Sequence, residues 1–160
     1  MLFIAALYSD EEVYDKSVSF LKEKFGNVII ESKPYNFTFT DYYNEEMGSG
    51  LVKRFIVFRK EANKKELAQV RKLTGEIEDK FRVNGKRKIN LDPGHISSDE
   101  VVLASVKKKD FKEEIGNGIF AHRIYAFENG KVKTFFHTFP DYRVEGNKMF
   151  FLSIRNKFCE

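Results

Sequence analysis

Tryptophan is absent from this 160-residue chain, cysteine occurs once, and proline and histidine occur three times each. The lone Cys159 has no second thiol to pair with, which excludes an internal disulfide framework and fits a reducing cytoplasm. No apolar run approaches the length that crosses a bilayer, so no membrane association is expected. The opening stretch "MLFIAALYSDEE" also lacks the basic segment and cleavage pattern of an export signal, and a cytoplasmic location is the expectation. His95, His122 and His137 stand at none of the short spacings that bring metal ligands together, and no serine sits in a G-x-S-x-G elbow. The phosphate-cradling patterns G-x-x-x-x-G-K-[ST] and G-x-G-x-x-G are missing too. Chemistry built on any of these motifs is set aside.

What the chain has in quantity is aromatic carbon. Its 17 Phe and 7 Tyr stand in a composition that is 42% apolar, enough to build a core from large rings. Residues 1–160 read as a single domain. The net charge of +4 is unevenly spread: residues 1–50 hold 4 Lys/Arg against 9 Asp/Glu, and residues 51–160 hold 24 against 15. The second part therefore carries a field that attracts phosphates, although runs of charge are equally the ordinary coat of a solvated surface.

Hydrophobic periodicity divides the chain into alternating elements. "LFIAALY" reads as a buried strand, and Ser9 with Glu12 forms a capping box that opens a helix closed by Gly26. Asn27–Thr40 reads as a strand broken at Pro34, followed by a polar loop over Asp41–Gly50 and a third strand from Leu51. Residues 63–83 carry the clearest helical stripe, Leu67, Val70, Thr74, Ile77 and Phe81, behind the cap residue Asn63. Asp92-Pro93-Gly94-His95 reads as a type II turn, and Ser97 with Glu100 as the capping box of a further helix. Asn129-Gly130 marks a hairpin whose histidines, His122 and His137, belong on its solvated face, and a last helix near Glu145–Phe158 buries Met149 and Leu152. The mixture predicts an α+β fold: a mainly antiparallel sheet, helices packed on one face, and a ferredoxin-like core as the first expectation.

Three polar blocks stand out at the ends of these elements. Asp41, Tyr42, Glu45 and Glu46 occupy the first loop, and the carboxylates there are oxygen ligands suited to Mg²⁺, though a solvated acidic loop looks the same in sequence. Asn90, Asp92 and His95 flank the Pro-Gly step, beside the basic run Lys86, Arg87 and Lys88. Asp141, Tyr142 and Arg143 follow the hairpin, and "TFPDYR" echoes "TFTDYY" a hundred residues earlier, as a distant duplication would. Lys107, Lys108 and Lys109 form a second basic cluster that either complements a helix C-terminus or contacts RNA.

The blocks "LFIAALYSDEE", "FTDYYNEEMG", "LVKRFIVF", "INLDPG", "VVLASVK" and "PDYR", in that order along nearly the whole chain, resemble a prokaryotic family catalogued as domain of unknown function 4416. The resemblance implies that Asp41, Tyr42, Tyr43, Glu46, Met47 and Gly48, then Asn90, Asp92 and Gly94, then Asp141, Tyr142 and Arg143 are its distinctive positions. The chain departs from the family pattern between Lys109 and Gly118, where a His-Arg pair is missing, so no basic role is expected there.

Together these readings predict that the three blocks meet in one cleft holding a small anionic or phosphorylated ligand. Arg143 would clamp the anion, the aspartates would orient hydroxyls or a cation, and His95 would carry a proton. An RNA-binding module using the lysine clusters, and a purely structural or dimerising domain, are the alternatives.

Overall fold

The computed structural model describes residues 1–159. The run Leu2–Tyr8 forms strand β1, and all seven of its side chains are buried. A strand with apolar residues on both faces belongs in the middle of a sheet. Strands β4 (Val52–Phe58) and β5 (Ile89–Ile96) flank it, both antiparallel. On the outer edge of β4 lie β2 (Val28–Glu31) and β3 (Tyr35–Asn36), separated by Pro34 as the sequence predicts. Beyond β5 come β6 (Glu100–Ser105) and β8 (Ile119–Glu128), with β7 (Glu113–Gly116) and β9 (Lys131–Thr134) on the outer edge of β8. The result is one nine-stranded antiparallel sheet in the order β2-β4-β1-β5-β6-β8-β7.

Helix α1 (Glu11–Phe25) leads from β1 to β2, the short helix α2 (Asn44–Met47) lies between β3 and β4, and α3 (Leu67–Lys80) leads from β4 to β5. With the strand order β2-β4-β1-β5, this is the split arrangement of a ferredoxin-like core, which the later strands extend. α1 and α3 share one face, where Tyr14, Leu21, Leu67 and Ile77 meet Ile4, Ile56 and Leu91. α4 (Glu145–Phe158) covers the other face, so the helices are not confined to one side. There Phe151 meets Phe3 and Phe55 edge to face at 5.0 and 4.8 Å. Tyr125 donates its hydroxyl to the Tyr142 carbonyl, pinning the 3-10 turn Pro140–Arg143 to this second core.

Several elements differ from expectation. The cap of α1 is Asp10, whose carboxylate accepts from the Glu12 amide at 2.9 Å, one residue after the expected Ser9. The Ser97–Glu100 pattern opens no helix. The Ser97 hydroxyl accepts from the Asp99 and Glu100 amides inside a tight turn, and the β-branched residues beyond it alternate as strand β6. Lys107–Lys109 consequently lie in a loop after that strand, with no helix dipole to complement. α4 is rotated by one rung: it buries Phe151 and Ile154 and exposes Met149.

The Pro-Gly step is the largest difference. Asp92-Pro93-Gly94-His95 is no turn but the second half of β5, paired with Leu2–Ala5. Pro93 is tolerated because its missing amide faces β6, whose ladder with β5 covers only Gly94–Ile96 against Val101–Leu103. In that register Pro93 would stand opposite Ala104, where the next hydrogen bond would form. Gly94 is needed for closeness rather than for φ: a Cβ there would lie 2.3 Å from the Phe3 ring and 2.7 Å from the Val102 carbonyl oxygen.

Candidate functional site

Because the β5–β6 ladder stops at Pro93, the two strands part, and a cleft of about 700 Å³ opens beside the gap. Unable to pair with β6, the Leu91 amide donates to the Glu78 carboxylate of α3 at 2.7 Å. The gap runs deep enough that Arg71, from the helix on the opposite face, also lines the cleft. The loop after β3, the end of β6, the loop over residues 106–112 and the segment leading to the Pro140–Arg143 turn form the remaining walls.

Strand alternation decides which of the expected residues reach this space. Asn90 and Asp92 point into it, whereas His95 points to the other side and lines a separate hollow near Met1 and Cys159. His95 therefore takes no part in the cleft, because an extended strand replaces the turn that would have aimed it there. Tyr42 and Asp141 line the cleft; Asp41, Glu46, Tyr142 and Arg143 do not.

Most of these groups are occupied by their own chain. Asp141 is buried, and its Oδ2 accepts from Lys53 Nζ and from the Tyr35 hydroxyl, each at 2.7 Å. The Lys53 ammonium also lies over the Tyr142 ring at 4.8 Å. Arg143, expected to clamp an anion, instead donates to the Thr138 and Phe135 carbonyls and to Thr134 Oγ1. It fastens the end of β9 to the 3-10 turn. Glu46 grips Arg87 through two contacts of 2.8 Å, and this guanidinium holds its carboxyl below the usual range. Arg87 then passes a hydrogen bond of 2.7 Å to Asn90 Oδ1. Asp41 is exposed on the loop, so the echo between Asp41 and Asp141 joins a solvated residue to a buried one.

The basic clusters are divided. Arg87, Lys107 and Lys109 line the cleft, while Lys86, Lys88 and Lys108 lie outside it. Lys112, in the stretch where no basic role was expected, joins the lining and donates to Ser105 Oγ at 2.9 Å and to the Lys107 carbonyl at 3.2 Å. Burial together with Lys107 and Lys109 lowers its pKa. Among the described residues, Lys107, Lys109 and Lys112 have no carboxylate within ion-pair distance, whereas the other cleft cations, Lys53, Arg71 and Arg87, are all paired. Asp92 is the reverse case, a half-buried carboxylate in the cleft with no hydrogen-bond or ion-pair partner among them.

Both hairpin histidines are in the wall rather than in solvent. His122 is only 2% exposed and donates from Nε2 to the His137 carbonyl at 3.0 Å; burial and nearby Lys112 push its pKa down to about 4. It is a neutral ring at physiological pH. His137 stacks on Phe111 at 4.4 Å, and Phe136 meets Phe111 edge to face at 5.4 Å. Sequence reasoning missed this aromatic wall, although the dense "TFFHTF" run was its visible signal.

The comparisons agree with the resemblance noted in the sequence. A family model described as Domain of unknown function (DUF4416) matches residues 1–158. The chain belongs to the DUF4416 family. No curated protein and no solved structure matches it. In this DUF4416 chain no helix among the described residues is long and apolar enough to cross a membrane. Nor do three His, Cys, Asp or Glu side chains among the described residues converge to hold a metal.

Proposed function

We propose that this cleft binds a small phosphorylated ligand. The supporting observation is the unequal pairing of its charges: three cations are neutralised by the chain's own carboxylates, and Lys107, Lys109 and Lys112 are left facing the opening. Three ammonium groups brought together repel one another, and an anion with several oxygens relieves that repulsion while accepting charge-assisted hydrogen bonds. Asp92, unpartnered among the described residues, asks in addition for a ligand that carries donors, such as hydroxyl groups. A phosphorylated polyol satisfies both.

The test is calorimetric titration with ribose 5-phosphate and with inorganic phosphate at low salt. Binding should weaken by about tenfold for each lysine of the three changed to alanine, the worth of one charge-assisted contact. Arg143→Ala should leave it unchanged. No binding of either compound, or undiminished binding by the triple lysine variant, would reject this site.

The RNA reading keeps one supporting feature, the exposed Tyr42 ring with Lys107 Nζ 4.6 Å above it. It requires the outlying Lys86, Lys88 and Lys108 to contribute, and it predicts a log-log salt slope of several units rather than the shallow slope of a single phosphate.

A further inference from the structure

The lysines and Asp92 do not account for the third component of the cleft, its aromatic rim. Phe136 is 83% exposed, with Phe111, Phe139, Phe39 and Tyr42 also open to solvent around the same space. Scattered exposed apolar residues are ordinary, but several rings gathered on one cleft leave a contiguous patch that water solvates poorly. The rings have a definite arrangement. His137 is held between Phe111 and Phe135, with 11° and 1° between the ring planes, and Phe136 projects edge-on beside this stack with its own faces open. His122 sits under Phe111 and, held neutral, adds no charge that would repel a planar uncharged ring. Lys112 Nζ lies 5.8 Å from the centre of the Phe111 ring, and Lys107 is joined to Lys112 through its carbonyl. Anion-binding groups and ring faces are therefore neighbours within one ligand's length.

Taken together, the cleft offers cations for a phosphate, an unpaired carboxylate for donor groups, and flat apolar surface for a ring. A sugar phosphate uses the first two and leaves the third in water. We infer that the ligand is a nucleoside phosphate whose base stacks on the open Phe136 ring while its phosphate meets Lys107, Lys109 and Lys112. This inference rests on the phosphorylated-ligand reading and narrows it. The phosphate is held by side chains on a loop, in keeping with the missing glycine-rich cradle, and base stacking supplies the affinity that a helix N-terminus would otherwise give.

The experiment titrates the full chain, at fixed low salt, with ribose 5-phosphate, the four ribonucleoside monophosphates and a short oligouridylate, against wild type and Phe136→Ala. The exposed position of Phe136 makes that variant safe for folding, and its unchanged melting midpoint is the control. At least one monophosphate should bind roughly tenfold or more tightly than ribose 5-phosphate, and Phe136→Ala should remove that advantage while leaving ribose 5-phosphate binding as it was. Phe136→Tyr should restore it. Equal binding of ribose 5-phosphate and all four monophosphates would overturn the nucleoside inference and leave the phosphate site standing. Binding of the oligonucleotide alone would overturn it in favour of a single strand, and binding of nothing would remove both readings at once.

Discussion

Replacing Asp141 by alanine tests whether the PDYR block is architecture. Its side chain is 3% exposed and that of its partner Lys53 is 10% exposed, with the ammonium at 2.7 Å from the carboxylate, so the pair lies away from bulk water. Removing one member of a buried pair strands the other charge, which typically costs about 3–5 kcal/mol. Two features move the estimate to the lower end. Lys53 borders the cleft and can recover some water there, and its ammonium keeps the Phe37 and Tyr142 rings at 5.2 and 4.8 Å. The Tyr35 hydroxyl also loses its acceptor, adding about 1 kcal/mol. Asp141→Ala should therefore destabilise by roughly 3–4 kcal/mol, and lower the midpoint by roughly 6–16 °C for a chain of this size. Urea unfolding followed by tyrosine fluorescence and by circular dichroism reads this directly, since no tryptophan dominates the emission. A cycle with Lys53→Met supplies the control: the double variant should lose much less than the two singles together. A loss below about 1 kcal/mol for Asp141→Ala, or a coupling below about 0.5 kcal/mol, would refute the buried-pair account and return Asp141 to the ligand set.

Glu46 has its pKa depressed by Arg87, so it contributes stability that is present above the unfolded carboxylate pKa and is lost as pH falls through the lower folded value. The stability gap between wild type and Glu46→Gln should be open at neutral pH and close under acid, and a gap that persists below about pH 2 would contradict the pairing. His122 titrates with the same sign. Its folded pKa of about 4 lies under the unfolded value, so acidification from about 6.5 towards 4 should cost roughly 3 kcal/mol that His122→Gln does not lose; parallel stability profiles for the two proteins would refute this. Gly94→Ala drives a methyl into the Phe3 ring and the Val102 carbonyl and should destabilise by about 1–3 kcal/mol, whereas a neutral result would mean that β5 and β6 are less tightly joined than their register shows.

How legible the fold was depends on the range of the interaction that decides each element. β1, α1, α3 and the Asn129-Gly130 hairpin follow from local pattern, and the sequence reading finds them. The β5–β6 region follows from partners far along the chain. Pro-Gly and Ser-x-x-Glu are locally a turn and a helix start, but Asp92–His95 pairs with β1 some ninety residues earlier, and Val101–Ser105 is claimed on its other edge by β8. Long-range pairing overrides local propensity there. The site shows the same division. Asn90, Asp92, Tyr42, Asp141, Arg87, Lys107 and Lys109 were marked by chemistry, and they do converge on one cleft. Arg143 and Glu46 were misjudged because nothing in a sequence shows that their charges are satisfied by carbonyls or by another side chain. The phenylalanines of the rim were missed because aromatic residues in a chain with 17 Phe look like core wherever they occur, and Lys112 and His137 because only the folded loop and hairpin bring them to the cleft.

The separation of paired from unpaired charge follows from how the cleft is made. Lys53, Arg71 and Arg87 rise from or beside strands and a helix whose positions the sheet dictates; Lys53 and Arg87 meet carboxylates held by other elements, and Arg71 meets Glu78 of its own helix. Their partners are fixed when the chain folds, and they form the rigid side of the cleft. Lys107, Lys109 and Lys112 all belong to one connection, between β6 and β7, that crosses the mouth where β6 has lost β5 as a neighbour. A connection of this kind is held by its own few hydrogen bonds, here Lys112 to Ser105 and to Lys107, and pays little to shift around a ligand. Pro93 thus does more than interrupt a ladder. By parting β5 from β6 it exposes Asp92 on one side and frees the lysine-bearing loop on the other, so that the acceptor and the cations of the site arise from one missing backbone hydrogen-bond donor. An additional donor at this position, as in Pro93→Val, acts on both sides together: it favours closure of the ladder opposite Ala104, and phosphate affinity should fall even though no cleft charge has been changed.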